Sequence, residues 1–88
     1  MELDLNELRK EIDACDAKIV ALLNERFRIV LKVREYKKSK GEPIRVPARE
    51  QAVLDKVCAL NQGPIKDETL CAIYRTLMDG AVALEEEV

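Results

Sequence analysis

The sequence contains no histidine and no tryptophan, and its aromatic residues are limited to Phe27, Tyr36 and Tyr74. The absence of histidine excludes the Ser-His-Asp and Cys-His nucleophile systems and removes the commonest ligand of zinc sites. Any site on this chain must therefore use carboxylates, arginines, lysines and geometry. We accordingly expect neither a metal nor a cofactor.

Two further features are missing: a surplus of positive charge and a long apolar run. The formal net charge is −2, which argues against a nucleic-acid partner because phosphate binding needs a basic surface. No apolar stretch approaches the roughly 20 residues of a membrane span, and no segment resembles a signal peptide. We expect a cytoplasmic protein that does not associate with a membrane.

Cysteine is present only as Cys15, Cys58 and Cys71, an odd number with no C-x-x-C pair. We interpret all three as reduced residues that serve as small apolar side chains.

Glycine and proline are absent from residues 4–40, which predicts one very long first helix. Asp4 and Glu7 form a capping box at its start, and Gly41 ends it. Such a helix is roughly 50 Å long at 1.5 Å per residue. A compact chain of 88 residues has a radius of gyration of only about 12 Å. We therefore expect a second copy of the chain to cover the helix, with closed two-fold symmetry.

Two shorter helices follow, and we expect residues 1–88 to form one all-α domain of three helices. Pro47 suits the first position of the second helix, which ends near Asn61, and Asp67 caps the third. Glu50 lies on the apolar face of the second helix, and Arg49 lies at the edge of that face. The inward stripe of the third helix is Leu70, Ile73, Leu77, Ala81 and Leu84, flanked by Glu85. Gly80 in mid-helix indicates close packing, since glycine there costs about 1 kcal/mol relative to alanine.

Apolar residues of the first helix recur at alternating spacings of three and four, the pattern of a helix that packs along a seam. Arg26 interrupts this seam, and Arg9 and Lys37 border it. An unpartnered buried guanidinium is costly, so Arg26 needs either an acidic protein partner or an anionic ligand. The spacing favours a polar chamber between helices. The apolar members are Leu5, Leu8, Ile12, Cys15, Ile19, Leu22, Ile29, Val33 and Tyr36.

Simpler explanations of the same charges stay open at this point. Arg26 can form a buried ion pair with Glu50 or Asp79 that fixes the register of the helices. Lys37 can extend from the helix end into solvent, and Arg9 can be an ordinary surface residue.

The motifs taken together resemble the all-helical chorismate mutases. They are L-R-x-x-I-D-x-x-D at residues 8–16, L-L-x-x-R at residues 22–26, Lys37 eleven residues later, and P-x-R-E at residues 47–50. The resemblance implies an intertwined homodimer of three-helix subunits, with the long first helices spanning both halves. It also implies a dianionic substrate, chorismate, and a step in phenylalanine and tyrosine biosynthesis.

Residue roles are implied by the same resemblance. Arg26 and Arg9 look like the pair that clamps the two substrate carboxylates, with Arg9 supplied by the other subunit. Lys37 matches the lysine that donates to the ether oxygen of the breaking C–O bond. Glu85 matches a second donor to that oxygen. An ionised carboxylate only accepts hydrogen bonds, so Glu85 would have to be protonated for this role.

The second and third helices supply the remaining implied contacts. Glu50 matches the acid that accepts from the ring hydroxyl, and Arg49 matches an arginine that adds positive field. Two positions depart from the family pattern. Val46 stands where members often have an aspartate, so only its backbone could contact substrate and side-chain capping is lost. Ala81 stands where some members have a serine, and we expect weakened contacts rather than lost activity.

The implied reaction is the concerted rearrangement of chorismate to prephenate, which needs no nucleophile, metal or proton transfer. An isochorismate pyruvate lyase, with the same fold and a similar arginine–lysine site, is the nearest alternative. A non-catalytic helical dimerisation or regulatory module is an alternative of another class. The sequence also leaves open whether the chain docks on another enzyme of the shikimate pathway.

Overall fold

A computed structural model describes residues 3–88, and all its regular structure is helical. Helix α1 spans Leu5–Lys40, α2 spans Pro47–Leu60 and α3 spans Asp67–Glu86. The all-α prediction with one very long helix is confirmed. The molecule measures 60 × 24 × 16 Å, and its radius of gyration of 16.6 Å exceeds the value expected of a compact chain.

The ends of α1 follow from local sequence. The Asp4 carboxylate accepts a hydrogen bond from the backbone N–H of Asn6 at 2.9 Å, so Asp4 caps the helix as predicted. The Glu7 carboxylate pairs with Lys10 at 3.1 Å instead of bonding back to Asp4, so the predicted capping box is only half formed. At the other end Gly41 takes a left-handed conformation with φ 67°. This turn lets the N–H of Glu42 donate to the carbonyl of Lys37 at 2.9 Å, which closes the last turn.

The predicted limits of α2 are confirmed, whereas the predicted cap of α3 needs a correction. Pro47 is the first residue of α2, and the helix ends at Leu60 with Asn61 as its C-cap. Lys66, not Asp67, takes the N-cap position of α3. The Asp67 carboxylate instead accepts from Asn61 Nδ2 at 2.7 Å, and so ties the start of α3 to the end of α2.

Helix α3 packs against both α1 and α2, whereas the backbones of α1 and α2 do not approach each other closely in the described chain. A Cβ added at Gly80 would lie 3.4 Å from Phe27 Cζ, so the predicted close packing at Gly80 is confirmed. Buried positions are few among residues 3–88. They are Leu54, Met78, Ala81 and Glu85.

Cys58 and Cys71 meet where α2 packs on α3, with their Sγ atoms 3.0 Å apart. Both are free thiols, in agreement with the sequence interpretation. The hydrogen bond with Cys71, followed by burial, raises the pKa of Cys58 from 9.0 to about 11. No sequence pattern indicated this contact, because the two residues lie on different helices.

The apolar seam of α1 is exposed in the single chain. Its members Ile12, Ile19, Leu22 and Ile29 are each more than half exposed. Ile73, which the sequence predicts in the inward stripe of α3, is also exposed, since α3 buries Leu70, Tyr74, Leu77 and Met78 more deeply instead. Leu60 at the end of α2 is exposed as well. None of the helices in residues 3–88 has the length and apolar character needed to cross a bilayer.

Candidate active site

A cavity of about 330 Å³ opens between α1 and α2, next to α3. It gathers seven of the eight residues predicted from sequence as site residues, which are Arg26, Lys37, Val46, Arg49, Glu50, Ala81 and Glu85. All three helices and the loop between α1 and α2 contribute to its lining. Residues far apart in sequence therefore meet at one place.

Arg26 and Lys37 reach the cavity because they lie on one face of α1. They are eleven residues apart, which is close to three helical turns. Ile29, Val30 and Val33 lie between them and form an apolar wall. The two cations are therefore held apart by a rigid helix along one side of the cavity.

The Arg26 guanidinium lies over the Tyr74 ring, with Cζ 5.8 Å from the ring centroid. Residues 3–88 place no carboxylate within ion-pair distance of it. Glu50 and Asp79, the two acids considered as its partners, are bound by Arg45 instead. An intrachain ion pair of Arg26 with either acid is therefore wrong. Tyr74 supplies a favourable cation–π contact that leaves the N–H donors of Arg26 available to a ligand.

Lys37 is turned inward, and its side chain is 15% exposed. Its Nζ donates to the backbone carbonyl of Ile44 in the loop between α1 and α2. The same atom lies 3.6 Å from Glu85 Oε1. The alternative that Lys37 extends into solvent is wrong, because the loop and the end of α3 both cover it.

Glu85 lies in the last turn of α3 and is only 4% exposed. The sequence predicts it beside the inward stripe, but the structure buries it more deeply than most of the apolar residues of that stripe. Arg34 of α1 donates from Nε to the Glu85 carbonyl at 3.1 Å. This contact, which the sequence did not predict, fastens the end of α3 against α1 and satisfies a carbonyl of its last turn.

The start of α2 and the middle of α3 complete the lining. Val46 is the N-cap of α2 and makes no side-chain capping bond, as expected from its apolar side chain. Arg49 and Glu50 follow in the first turn of that helix. Ala81 is buried at 8% exposure and provides a small apolar surface.

Arg9 is the one predicted site residue that does not line the cavity of its own chain. It is exposed, and it lies about 25 Å from Arg26 along the helix at 1.5 Å per residue. The family resemblance assigns Arg9 to the site of the other subunit, and this assignment stays a prediction.

Arg45 is a further residue that sequence reasoning missed, and it contacts Glu50 of the cavity lining. Its Nη1 lies 3.0 Å from Glu50 Oε1, and its Nη2 lies 2.8 Å from Asp79 Oδ1. No periodicity could have identified it, because it lies in an irregular loop whose direction depends on the packing of α2 and α3.

The lining carries three cationic side chains and two carboxylates, so its formal charge is positive by one. Arginine and lysine offer several N–H donors suited to carboxylates. Apolar groups surround these donors, which strengthens their interaction with an anion. Such a cavity can bind a small anion in a fixed orientation and stabilise negative charge that develops on it.

The chain matches one protein family in sequence and in structure. The family model described as chorismate mutase type II matches residues 8–86. The chorismate mutase of Methanocaldococcus jannaschii is 34% identical, over 94% of this chain and 85% of that protein. The structure of chorismate mutase form II from Thermus thermophilus superposes with a TM-score of 0.90 at 34% identity, covering 93% of both chains.

A bifunctional chorismate mutase/prephenate dehydratase from Aquifex aeolicus is 38% identical over 97% of this chain. The match covers 25% of that protein, so the chain spans about a quarter of the length of this bifunctional relative.

Proposed function

Because the chain belongs to the type II chorismate mutases, we propose that it catalyses the rearrangement of chorismate to prephenate. One observation carries this proposal: seven of the predicted site residues line a single positively charged cavity. A concerted rearrangement requires a held conformation and stabilised charge, and both requirements suit a rigid cavity with cationic walls.

Arg26 binds one substrate carboxylate in this proposal. Its guanidinium is held by Tyr74 rather than by an acid, so its donors are free to form a bidentate contact. Arg9 from a second copy binds the other carboxylate. The two contacts fix the enolpyruvyl arm over the ring, which supplies the orientational part of catalysis.

Lys37 and Glu85 act on the ether oxygen, where negative charge develops as the C–O bond breaks. Both are nearly buried and lie 3.6 Å apart, so they can converge on one atom of the substrate. A donor fixed in advance at this position stabilises the transition state more than the ground state. Lys37 is always able to donate, whereas Glu85 donates only when protonated.

Glu50 accepts from the ring hydroxyl, and Arg49 adds positive field at the mouth of the cavity. Val46 offers its backbone, and Ala81 contributes apolar contact in place of a hydroxyl. Their support is their common position on the cavity lining.

We further propose that the working unit is a homodimer. The exposed apolar seam of α1 runs the length of the helix, and such a patch is unusual on a monomer. A second copy paired along α1 would bury this seam and could bring its Arg9 to the cavity. The expected arrangement is the intertwined bundle implied by the sequence resemblance.

The activity is tested by incubating the purified protein with chorismate and with isochorismate in separate reactions. Loss of chorismate absorbance with formation of prephenate is the expected result. Salicylate formed from isochorismate would indicate a lyase instead. Turnover of neither substrate would support the dimerisation module and refute the proposed function.

The contribution of Arg9 in trans is tested by mixing two variants, Arg9→Ala and Arg26→Ala. Each alone should be inactive. A mixed dimer contains one site with both intact residues, so an equimolar mixture should regain about a quarter of wild-type activity after subunit exchange. If the variants exchange subunits, as mass spectrometry can verify, and no activity returns, Arg9 does not act across the dimer.

The donor role of Glu85 is tested with Glu85→Gln and Glu85→Ala. The glutamine amide can donate to the ether oxygen, whereas alanine cannot, so kcat should be kept in the first variant and fall by about a hundredfold in the second. The role is wrong if both variants lose turnover equally or if neither does.

A further inference from the structure

Arg45 lies in the loop between α1 and α2 and bridges two carboxylates on different helices. One guanidinium nitrogen lies 3.0 Å from Glu50 Oε1 on α2, and the other lies 2.8 Å from Asp79 Oδ1 on α3. The planar guanidinium suits this use, because its donors point in fixed directions. Arg45 thus connects the loop, the start of α2 and the middle of α3.

The two carboxylates differ in their surroundings. The Asp79 side chain is 70% exposed, whereas that of Glu50 is 24% exposed and lines the cavity. An ion pair to an exposed partner adds little stability by itself. Asp79 therefore matters mainly as an anchor that fixes the direction of the Arg45 guanidinium.

The contact with Arg45 involves only one oxygen of Glu50. Oε1 accepts from Arg45, and Oε2 has no hydrogen-bond donor among the side chains and backbone of residues 3–88. A carboxylate held at one oxygen cannot rotate freely, so its second oxygen keeps a fixed direction. Arg45 also offsets the negative charge of Glu50, which reduces repulsion of an anion bound in the cavity.

The cation at position 45 is permanent over any practical pH range. The hydrogen bond to Asp79, followed by the charge of Glu50, raises the pKa of Arg45 above its ordinary value.

We propose that Arg45 is a positioning residue, which acts through Glu50 by orienting its carboxylate toward a hydroxyl group of the bound anion. This inference rests on the proposed function. Arg45 touches no reacting atom itself, because it does not line the cavity and its guanidinium is engaged by Glu50 and Asp79. The hydrogen-bond acceptor presented to the ligand is Glu50 Oε2.

Steady-state kinetics of four proteins test the coupling: wild type, Arg45→Ala, Glu50→Gln and the double variant. Arg45→Ala should raise KM by about tenfold with a smaller change in kcat, since an oriented acceptor for the bound ligand is lost. In the Glu50→Gln background the same change should have almost no further effect, because the group through which Arg45 acts is already altered.

Two matched variants separate orientation from charge and from folding. Arg45→Lys keeps the charge but lacks the fork that spans two carboxylates, so it should restore less than half of the lost kcat/KM. Arg45 also lines a second, smaller cleft between α2 and α3, and Arg75 lines the same cleft. Arg75→Ala therefore removes a neighbouring arginine and should leave KM unchanged. Thermal unfolding of each variant reports any loss of stability.

The outcomes distinguish the positioning role of Arg45 from the proposed enzymatic function. Equal effects of Arg45→Ala in both backgrounds, in an active wild-type enzyme, would overturn the positioning role and leave the proposed function intact. Full rescue by Arg45→Lys would also overturn it, because charge alone would then suffice. Absence of turnover in the wild-type protein would overturn both.

Discussion

The two halves of α1 meet very different surroundings, although they belong to one uninterrupted helix. Residues 5–22 are exposed without exception, while the half from Leu23 onward contains Arg26, Phe27, Val30 and Lys37 as partly buried positions. Helix α3 covers only this second half, where it contacts Arg26, Phe27 and Arg34. The second half of the helix therefore forms a wall of the cavity, whereas no part of residues 3–88 covers the first half.

Helix α1 also has two faces with different surroundings, the exposed apolar seam and the face that packs on α3. Ile29 belongs to the exposed seam, whereas its neighbour Val30 is partly buried. Both residues line the cavity. The cavity therefore lies where the face of α1 that packs on α3 meets the exposed seam. In the proposed dimer, assembly and substrate binding should be coupled through this boundary.

The largest expected effect on activity comes from Arg26→Leu, in the half of α1 that lines the cavity. Turnover should fall by about a hundred- to a thousandfold, because a preorganised donor to the anion is lost. The proposed dimer should persist, since replacing a partly buried charge with an apolar residue seldom destabilises packing. Arg28→Leu, on an exposed position of the same helix, is the control and should keep wild-type turnover. Unchanged kinetics in Arg26→Leu would refute the assignment of the cavity.

The exposed half is tested by Ile12→Lys, which places a charge on the seam far from the cavity. Each buried isoleucine contributes about 2–3 kcal/mol, so two copies of the change should dissociate the dimer and lower its thermal stability. Sedimentation velocity measures the assembly. The control is Ala17→Lys on the opposite side of the helix, which should remain dimeric. A dimeric Ile12→Lys protein would show that the seam is not the interface.

The packing of the cavity half is tested at Gly80, where α3 approaches Phe27. Gly80→Val should destabilise the protein by about 1–3 kcal/mol through overpacking, as measured by urea unfolding. Gly80→Ala is the matched control. Its Cβ fits at 3.4 Å from Phe27 Cζ, and the gain in helix propensity should offset any crowding. Equal stability of the valine variant would mean that α1 and α3 are less tightly packed than the structure shows.

The smallest expected effect concerns the Cys58–Cys71 thiol pair, which lies where α2 packs on α3 and does not involve α1. The pKa of Cys58 is about 11 in the folded chain against an ordinary 9.0, so the native state holds this proton more tightly than the unfolded state. The resulting stability is fully present below pH 9 and is lost as the pH rises through 11. The melting temperature should therefore decline less steeply between these values in Cys58→Ala than in the wild type.

Parallel slopes in the two proteins would contradict this prediction. Comparing slopes removes the contribution of lysines and tyrosines, which titrate in the same range in both proteins.

Sequence patterns were sufficient for features that depend on one helix. The distance between Arg26 and Lys37 follows from their spacing, because a helix without glycine or proline has a fixed rise. The limits of α1 follow from Asp4 and Gly41, which satisfy its terminal groups locally. The predicted N-cap of α3 was wrong by one residue. The Asp67 carboxylate accepts a hydrogen bond from Asn61 at the end of α2, and capping patterns in the local sequence do not predict this contact.

Features that depend on how the helices are rotated against each other could not be predicted. The depth of Glu85 depends on the docking of α3 against α1, where Arg34 binds its carbonyl. Arg45 lies in a loop, and its two partners come from helices that meet only in the folded chain. The intrachain ion pair suggested for Arg26 failed for the same reason, because those acids are bound by Arg45.

By itself, the sequence determined three helices, the line of charges on the first, and a seam that is too long for one chain to cover. Backbone propensity, capping and helical periodicity act over a few residues, so they are already present in the linear order. Only the tertiary structure decided that Arg26 lies over Tyr74, which acids are held by Arg45, and how deeply Glu85 is buried. These features arise from contacts between distant segments, whose geometry is set by the packing of α3 against its two neighbours.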